Sequence, residues 1–259
     1  MISEELSGTS AKASADGLCR DGFALLGCVL SPEIVENLRK EFDRRYAHLT
    51  LPGADFGNSQ ETGNGRHLLT VELSGAFSDF RVYANPAVME ILNIVFGEKF
   101  VLESFGVVLS LSGAKCQLNH RDGKGLFSPA LDSLLPPYAV TVGIPLVDMN
   151  VEQGTTEIFP NSHRWKESSS SLSPDVPAGC GIVWDYRTLH RGTENRSDRY
   201  RPLLYMTYSK PWWRDLDNFE PVWSDSGPEI SRKKVIFGRD FFKVVPRESQ
   251  FLFRNVDGL

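Results

Sequence analysis

Five short runs rich in β-branched and aromatic residues follow one another in the second half of the chain, separated by clusters of Gly, Pro, Asn and Ser. These runs cover residues 100–111, 139–147, 155–159, 181–190 and 201–209. Helical patterns come before them, and helices followed by closely spaced strands are typical of a β-sandwich or jelly roll with helices outside one sheet. We therefore predict a mainly β fold with flanking helices.

Two helices are predicted in the first half of the chain. Ser31 is a good N-cap and Pro32 suits the first helical position, so one helix should run from Pro32 to about Tyr46. The second covers residues 86–96 and should end at Gly97, because glycine commonly follows the last helical residue.

The chain shows no internal repeat and no composition shift that would mark a linker, so its 259 residues are predicted to form one domain. We expect N-terminal helical support over about 15–98, a jelly-roll core over about 99–210 and a C-terminal segment over 211–259. Within it, residues 220–259 should pack on the sheet or on the second subunit of a homodimer. Its apolar residues include Phe237, Phe241, Phe242 and Phe251.

The charge pattern limits the partners. Twenty-eight basic and 33 acidic residues give a net charge of -5, without a basic block that could bind nucleic acid or a membrane surface. The apolar stretches 23–30 and 139–147 are too short to span a bilayer. Residues 1–6 are acidic and lack the basic start of a signal peptide. We predict a cytoplasmic protein that acts on a small molecule.

The four cysteines are Cys19, Cys28, Cys116 and Cys180. They form no C-x-x-C pair and are too sparse for a disulfide framework in a chain of this length. We predict reduced thiols that serve as small buried apolar residues.

Three side chains point to a metal site. His120 and Asp122 stand two residues apart, so an extended chain places them on the same face. His190 ends an apolar strand, directly before a polar turn. Two histidines and one carboxylate on one face of an ion leave three positions open, which is the arrangement of non-haem Fe(II) oxygenases. A 2-oxo acid can fill two of these positions and O2 the third.

Arg201 lies near His190 in the sequence. If the intervening residues form a hairpin, its centre falls within 194–197, and His190 and Arg201 become cross-strand neighbours. An arginine there could bind the distal carboxylate of the 2-oxo acid through two parallel hydrogen bonds. Arg199 would share the face of Arg201, so spacing alone leaves both open.

An H-x-D tripeptide also arises by chance. The metal-site prediction therefore depends on the order of the whole set, which is His120, Asp122, His190 and Arg201. The other histidines have simpler interpretations. His48 is expected at the surface, His67 on a solvated loop or facing substrate, and His163 in a structural turn.

At these motifs the sequence resembles the phytanoyl-CoA dioxygenase family of Fe(II)- and 2-oxoglutarate-dependent oxygenases. The resemblance runs nearly end to end, and Asn161 stands where the family usually has glycine. It implies a double-stranded β-helix, a cupin-like jelly roll. It also implies that His120, Asp122 and His190 bind iron and that Arg201 binds the 5-carboxylate of 2-oxoglutarate. The segments that carry it are 21–23 with 30–31, 117–122, 154–163, 190–201 and 208–212.

Three further residues are candidates for the co-substrate pocket. Gln117 matches a family position near 2-oxoglutarate, although an ideal strand would need a bulge to bring it to the face of His120. Tyr138 and Thr141 could contribute hydroxyl groups, or could be structural residues of a half-buried strand.

The resemblance also indicates the reaction. Halogenating relatives replace the carboxylate at position 122 with a small residue, so Asp122 favours oxygen chemistry. We expect hydroxylation of an unactivated C–H bond with release of succinate and CO2. Desaturation, epimerisation and ring formation remain open. So do a cupin-like zinc or manganese enzyme without 2-oxoglutarate and a jelly-roll binding module.

The substrate is expected between three segments. Residues 51–67 and 166–173 lack periodicity and are predicted to be surface loops. The three segments that should face the substrate are residues 51–67, residues 123–137 and the region of Trp212, Trp213 and Phe219. A place in the core is the equal alternative for these aromatic side chains. Arg66, Lys124 and Arg214 suit a small, partly apolar molecule with a polar or anionic group, such as a natural-product intermediate.

Overall fold

The computed structural model describes residues 10–57, 59–97, 99–165 and 170–215. The helices are α1 (Ala11–Asp21), α2 (Pro32–Tyr46), α3 (Phe80–Tyr83), α4 (Pro86–Phe96) and α5 (Pro129–Asp132), with 3-10 turns at Ala47–Thr50, Gly75–Ser78 and Ser162–Arg164. The strands are β1 (Phe23–Cys28), β2 (Gln60–Gly63), β3 (Arg66–Thr70), β4 (Val101–Ser110), β5 (Ala139–Pro145), β6 (Thr156–Ile158), β7 (Cys180–Asp185), β8 (His190–Gly192) and β9 (Arg201–Ser209).

Local signals set the limits of the two predicted helices, and both predictions are confirmed. The Ser31 hydroxyl accepts the backbone N–H of Ile34 at the start of α2. The Asn85 side chain caps α4 in the same way, and Gly97 ends that helix with a positive φ of 72°. Helix α1 and strand β1 were not predicted.

Seven antiparallel strands form the large sheet in the order β1-β7-β5-β9-β4-β3-β2. Alternate residues of its strands, such as Val142 and Met206, join the main core with apolar residues of α1, α2 and α4. The residues between them, including Thr141, Trp184, Tyr205 and Arg201, therefore face the opposite side. That side carries the polar groups of the functional site.

Strands β6 and β8 form a separate two-stranded sheet in which Ile158 pairs with His190. This small sheet packs on the polar side of the large sheet, where Ile158 joins Ile182 and Trp184. The two sheets enclose the cavity described below, as in the predicted jelly roll. Among the described residues, no helix combines the length and apolar character needed to cross a bilayer.

Two predictions about local structure were wrong. Residues 60–70 form the β2–β3 hairpin instead of continuing a loop. Its turn contains Asn64-Gly65, with Gly65 at φ 73°, which is a hairpin signal in the sequence. The predicted strand 181–190 is two strands, because the chain turns at Asp185, whose side chain accepts the N–H of Arg187.

The cysteine prediction was also wrong in part. Cys28 and Cys180 oppose each other on β1 and β7 and form a disulfide. They are 152 positions apart, so only the strand pairing brings them together. Cys19 and Cys116 are free thiols as predicted, but both are exposed.

The single-domain division stays a prediction. Of the predicted C-terminal segment, residues 216–259 lie outside the described residues, and so do residues 166–169 of the predicted surface loop.

Candidate metal centre and anion-binding cavity

His120, Asp122 and His190 converge at one end of the cavity. One possible ligand atom from each lies within 4.8 Å of the other two. The main chain holds the two histidines together, because each accepts the other's backbone N–H at 2.9 Å in an isolated antiparallel bridge. This is the only such three-residue cluster among the described residues.

Backbone carbonyls orient both imidazoles. Nδ1 of His120 lies 2.9 Å from the Leu118 carbonyl, and Nδ1 of His190 lies 2.9 Å from the Thr188 carbonyl. An N–H at Nδ1 that donates to a carbonyl leaves Nε2 unprotonated, as metal coordination requires. Burial lowers the pKa of His190 and so favours its neutral form.

The two oxygens of Asp122 have different environments. Oδ2 accepts hydrogen bonds from the Thr141 hydroxyl at 2.9 Å and from the Trp184 indole N–H at 2.8 Å. Oδ1 lies 3.5 Å from Nε2 of His190. Thr141 and Trp184 are directly opposed on β5 and β7, so the large sheet fixes the carboxylate.

Arg201 projects from β9 into the same cavity, and it is only 2% exposed. Nη1 contacts Sδ of Met149 at 2.7 Å, and Nε has no hydrogen-bond partner. Burial, with a smaller effect from Arg66, lowers the pKa of Arg201 to about 9, so the group stays charged at neutral pH. In the described part of the chain, no carboxylate forms an ion pair with it. Arg199, the alternative, has a side chain that is 79% exposed.

Arg66 is a second buried cation, which the sequence indicated only as one of the charges near the substrate. It is 1% exposed and pairs with Ser110, which pairs in turn with Arg201, so the three share one face of the large sheet. Nη2 donates to the Thr193 carbonyl at 2.8 Å, whereas Nε and Nη1 have no partner. Burial lowers its pKa to about 10. Arg66 is recognised as a residue of the site through the pairing of β3 with β4 and of β4 with β9, and this pairing cannot be read from the sequence.

Gly192 leaves space for Arg66. A Cβ atom at Gly192 would lie 1.6 Å from Nη1 of Arg66 and 2.8 Å from Oε1 of Gln117. Gln117 also faces the cavity, and its Oε1 accepts the Gly192 N–H at 2.7 Å while its Nε2 donates to the Thr62 carbonyl. Residues 114–119 form no regular strand, so Gln117 reaches this face without a bulge.

The other two co-substrate candidates lie elsewhere. Thr141 is fully buried behind Asp122 and donates its hydroxyl to that carboxylate. Tyr138 packs in a separate aromatic cluster with Tyr186 and Trp213. Neither is among the described residues that line the cavity, so the structure does not support a co-substrate contact for either.

The predicted hairpin between His190 and Arg201 does not form. His190 belongs to the small sheet and Arg201 to the large one, and both line the cavity from opposite sides. The segment that connects the two sheets is held by the buried side chain of Asn195. Its side-chain amide donates to the carbonyls of Leu111 and Arg199, and its Oδ1 accepts from Ser197.

The cavity has a volume of about 550 Å³. Of the segments predicted to face substrate, residues 60–66 contribute to its wall, while Gly123 and Lys124 line a more open cavity of about 360 Å³ on the outer side of His120 and Asp122. Trp213 lies in the Tyr138 cluster, and Phe219 is outside the described residues.

The remaining histidines do not join the metal cluster. His48 is exposed, as predicted. His67 stacks on Phe56 at a ring distance of 3.5 Å on the other face of β3. His163 is buried against Gly22, consistent with the structural turn that was predicted.

The family model for phytanoyl-CoA dioxygenase (PhyH) matches residues 18–203, which is well over half of the chain. This protein belongs to the phytanoyl-CoA dioxygenase family. The predicted family and the oxidoreductase class are thereby confirmed.

Among curated proteins, this family member is 24% identical to "Dioxygenase trt7" of Aspergillus terreus (strain NIH 2624 / FGSC A1156) over 208 residues, 76% of this chain and 73% of that protein. It is 25% identical to "Iron/alpha-ketoglutarate-dependent dioxygenase ausU" of Aspergillus calidoustus over 199 residues, 71% of this chain and 66% of that protein.

Among solved structures, the chain is similar to the non-heme alpha ketoglutarate dependent epimerase SnoN from nogalamycin biosynthesis, with a TM-score of 0.65 and 19% identity over 89% of this chain and 96% of that one. It is also similar to AviO1 from Streptomyces viridochromogenes Tue57, with a TM-score of 0.62 and 20% identity over 80% of this chain and 98% of that one. These likenesses confirm the predicted double-stranded β-helix fold.

Proposed function

We propose that this protein is an Fe(II)- and 2-oxoglutarate-dependent dioxygenase that hydroxylates an unactivated C–H bond of a small, partly apolar metabolite. His120, Asp122 and His190 bind the iron, and Arg201 binds the 5-carboxylate of 2-oxoglutarate. One observation carries the proposal. The cavity that holds this cluster of two imidazoles and a carboxylate also contains the buried guanidinium of Arg201, which forms no ion pair with any carboxylate of the described residues.

The three side chains fit a ferrous ion. Both imidazoles present Nε2 because Nδ1 lies against a carbonyl, and Asp122 adds one negative charge. Three ligands from one side leave coordination positions for a chelating 2-oxo acid and O2, which is typical of non-haem Fe(II) oxygenases. Two relatives support the same metal and co-substrate, because ausU is an iron/alpha-ketoglutarate-dependent dioxygenase and SnoN has been solved in complex with Fe3+ and alpha ketoglutarate.

The two arginines fit a dianion. An unpaired buried charge is unfavourable, and Arg66 and Arg201 repel each other across Ser110. A ligand with two carboxylates offsets both charges, and Arg201 can bind a carboxylate through two hydrogen bonds. Gln117 lines the same cavity, where its Nε2 donates to the Thr62 carbonyl and its Oε1 accepts the Gly192 N–H.

When bound, iron and 2-oxoglutarate supply the oxidising chemistry: 2-oxoglutarate is decarboxylated to succinate, one atom of O2 enters succinate and the other enters the product. The protein positions the reactants. Thr141 and Trp184 hold Asp122, the main chain holds both histidines, and Arg201 fixes the end of the co-substrate far from the metal.

A small natural-product intermediate suits the cavity. Its volume of about 550 Å³ lies within the usual range for ligand pockets, although 2-oxoglutarate takes part of the space. The origin of SnoN in nogalamycin biosynthesis favours the same class of substrate. Because SnoN is an epimerase, epimerisation is the second candidate for the fate of the substrate. A cytoplasmic location and a homodimer stay predictions of the sequence.

The test is succinate formation by the purified protein with Fe(II), 2-oxoglutarate and O2, in the presence of small-metabolite pools. A product heavier by one oxygen atom identifies hydroxylation, loss of two hydrogens identifies desaturation, and an unchanged mass with a changed stereocentre identifies epimerisation. Absence of succinate with every metabolite pool would contradict the proposal. If the protein also binds a metal ion, that result favours a cupin-like enzyme that does not use 2-oxoglutarate.

Two carboxylate variants test whether the activity depends on the proposed metal site. Asp122→Ala should abolish succinate formation and leave the circular dichroism spectrum unchanged, because it removes a metal ligand and little packing. Asp198→Ala is the matched control, since its side chain is 96% exposed, and it should retain full activity.

A further inference from the structure

Trp184 contacts two of the three proposed metal ligands. Its indole N–H donates to Oδ2 of Asp122 at 2.8 Å, and its ring lies 5.2 Å from the His190 ring, centroid to centroid. Trp184 is 1% exposed, and it lines the cavity beside the metal ligands. A rotation of this indole would therefore disturb both ligands.

The strand register keeps Trp184 in place. Trp184 pairs with Phe23 of β1 on one side and with Thr141 of β5 on the other. Its ring also packs edge-on against Tyr205 at 6.2 Å. Because Thr141 is the directly opposed residue, the two donors to Oδ2 of Asp122 come from neighbouring strands of a rigid sheet.

These two hydrogen bonds distinguish the oxygens of the carboxylate. Oδ2 accepts from both donors, whereas Oδ1 is the atom nearest to Nε2 of His190. Hydrogen bonds to a charged acceptor are roughly twice as strong as neutral ones, so the pair opposes rotation of the carboxylate. With Oδ2 held in this way, the carboxylate keeps the orientation that brings Oδ1 to 3.5 Å from Nε2 of His190.

We infer that Trp184 is a positioning residue for the metal centre, which acts with Thr141 to present Asp122 as a ligand through Oδ1 and to hold the ring of His190. The inference rests on the proposed function. It assigns Thr141 to the support of a metal ligand and not to the co-substrate. Partners of this kind commonly change metal affinity by about 10- to 100-fold when they are removed.

The test is anaerobic calorimetric titration of Fe(II) into the full-length protein and its variants, with 2-oxoglutarate absent. Trp184→Phe keeps an aromatic ring beside His190 and removes the N–H donor together with part of the indole ring. It should weaken Fe(II) binding about 10- to 100-fold. The control is Tyr208→Phe, which removes a buried hydroxyl that donates at 2.6 Å to the Tyr83 carbonyl in the main core, and Tyr208 is not among the described residues that line the cavity. Fe(II) affinity of this control should stay within twofold of the wild type.

Thr141 provides a second pair of variants that does not depend on how well Trp184→Phe folds. Thr141→Val removes the hydroxyl and keeps the shape, so it should weaken Fe(II) binding, and Thr141→Ser should restore it. A merely structural role for Thr141 would lower the melting temperature without this rescue of metal affinity.

The outcomes distinguish the positioning role of Trp184 and Thr141 from the proposed function. If the wild type binds Fe(II) and both Trp184→Phe and Thr141→Val bind it equally well, the positioning role is wrong and the proposed function stands. If Tyr208→Phe weakens binding as much as Trp184→Phe, the effect is general destabilisation, and the inference is also wrong. If the wild type binds no Fe(II), the proposed function fails and this inference fails with it.

Discussion

Replacing Arg201 with methionine should make the ligand-free protein more stable and make it insensitive to 2-oxoglutarate. The guanidinium of Arg201 is 2% exposed and has no ion pair within the described residues, so the folded protein holds an uncompensated charge. Methionine has a similar length and no charge. The change therefore removes a destabilising charge together with the proposed anchor for the 5-carboxylate.

The magnitude follows from the burial. A base whose pKa falls on folding has a charged form that is less favourable in the folded state, so the fall to about 9 counts against stability at neutral pH. It corresponds to a ceiling of about 5 kcal/mol. Loss of the Met149 contact and imperfect packing offset part of this, and we expect a net gain of about 1 to 3 kcal/mol in the free energy of unfolding. For a protein of this size, the melting temperature should rise by about 2 to 10 °C.

The response to 2-oxoglutarate should change in the opposite direction. At a concentration 100 times the dissociation constant, 2-oxoglutarate stabilises the wild type by about 2.7 kcal/mol. If Arg201→Met weakens binding about 100-fold, the same concentration gives only about 0.4 kcal/mol. The assay is anaerobic thermal unfolding with Mn(II), with and without 2-oxoglutarate.

Arg199→Met is the control, because the side chain of Arg199 is 79% exposed, and it should change neither quantity. The reasoning is refuted if Arg201→Met lowers the stability of the ligand-free protein by more than about 1 kcal/mol and still responds to 2-oxoglutarate like the wild type.

Three other variants test separate parts of the structure. Gly192→Ala places a methyl group against Arg66, so 2-oxoglutarate affinity should fall at least tenfold in calorimetry, and unchanged affinity would remove Arg66 from the ligand site. Asn195→Ala leaves the Leu111 and Arg199 carbonyls and the Ser197 N–H without their buried side-chain partner and should cost about 2 to 4 kcal/mol in urea unfolding. Burial lowers the pKa of His163, so the unfolded chain binds a proton more readily and stability falls as the pH drops below about 6.5. His163→Gln should reduce that fall by up to about 1.4 kcal/mol per pH unit, measured by urea unfolding between pH 7 and 5.5.

Much of the fold could be predicted because its signals are local. Ser31 and Gly97 mark helix ends through hydrogen bonds and backbone angles that involve only a few neighbouring residues. The run 201–209 matches β9 at both ends because alternation and turn residues define it. The Asn64-Gly65 turn is an equally local signal, and it accounts for the hairpin that replaces residues 60–67 of the predicted loop.

The sheet that each strand joins could not be predicted in this way. His190 and Arg201 are close in sequence, and a hairpin between them is compatible with their spacing. The structure instead uses Asn195 to carry the chain from the small sheet to the large one. The Cys28–Cys180 disulfide has the same origin, since only the register of β1 against β7 opposes the two residues.

The two halves of the candidate site differ in how far the sequence reveals them. The sequence reveals the residues of its metal-binding half because His120 and Asp122 stand two residues apart and His190 ends an apolar run, although the bridge that joins the two histidines is a long-range contact. Its anion-binding half depends on strand register, which aligns Arg66 with Arg201 through Ser110. Because the arginines lower stability until an anion binds, ligand-free stability and 2-oxoglutarate affinity should be opposed in variants of this half. Variants of Trp184 or Thr141, which remove favourable hydrogen bonds, should instead lower stability and metal affinity together.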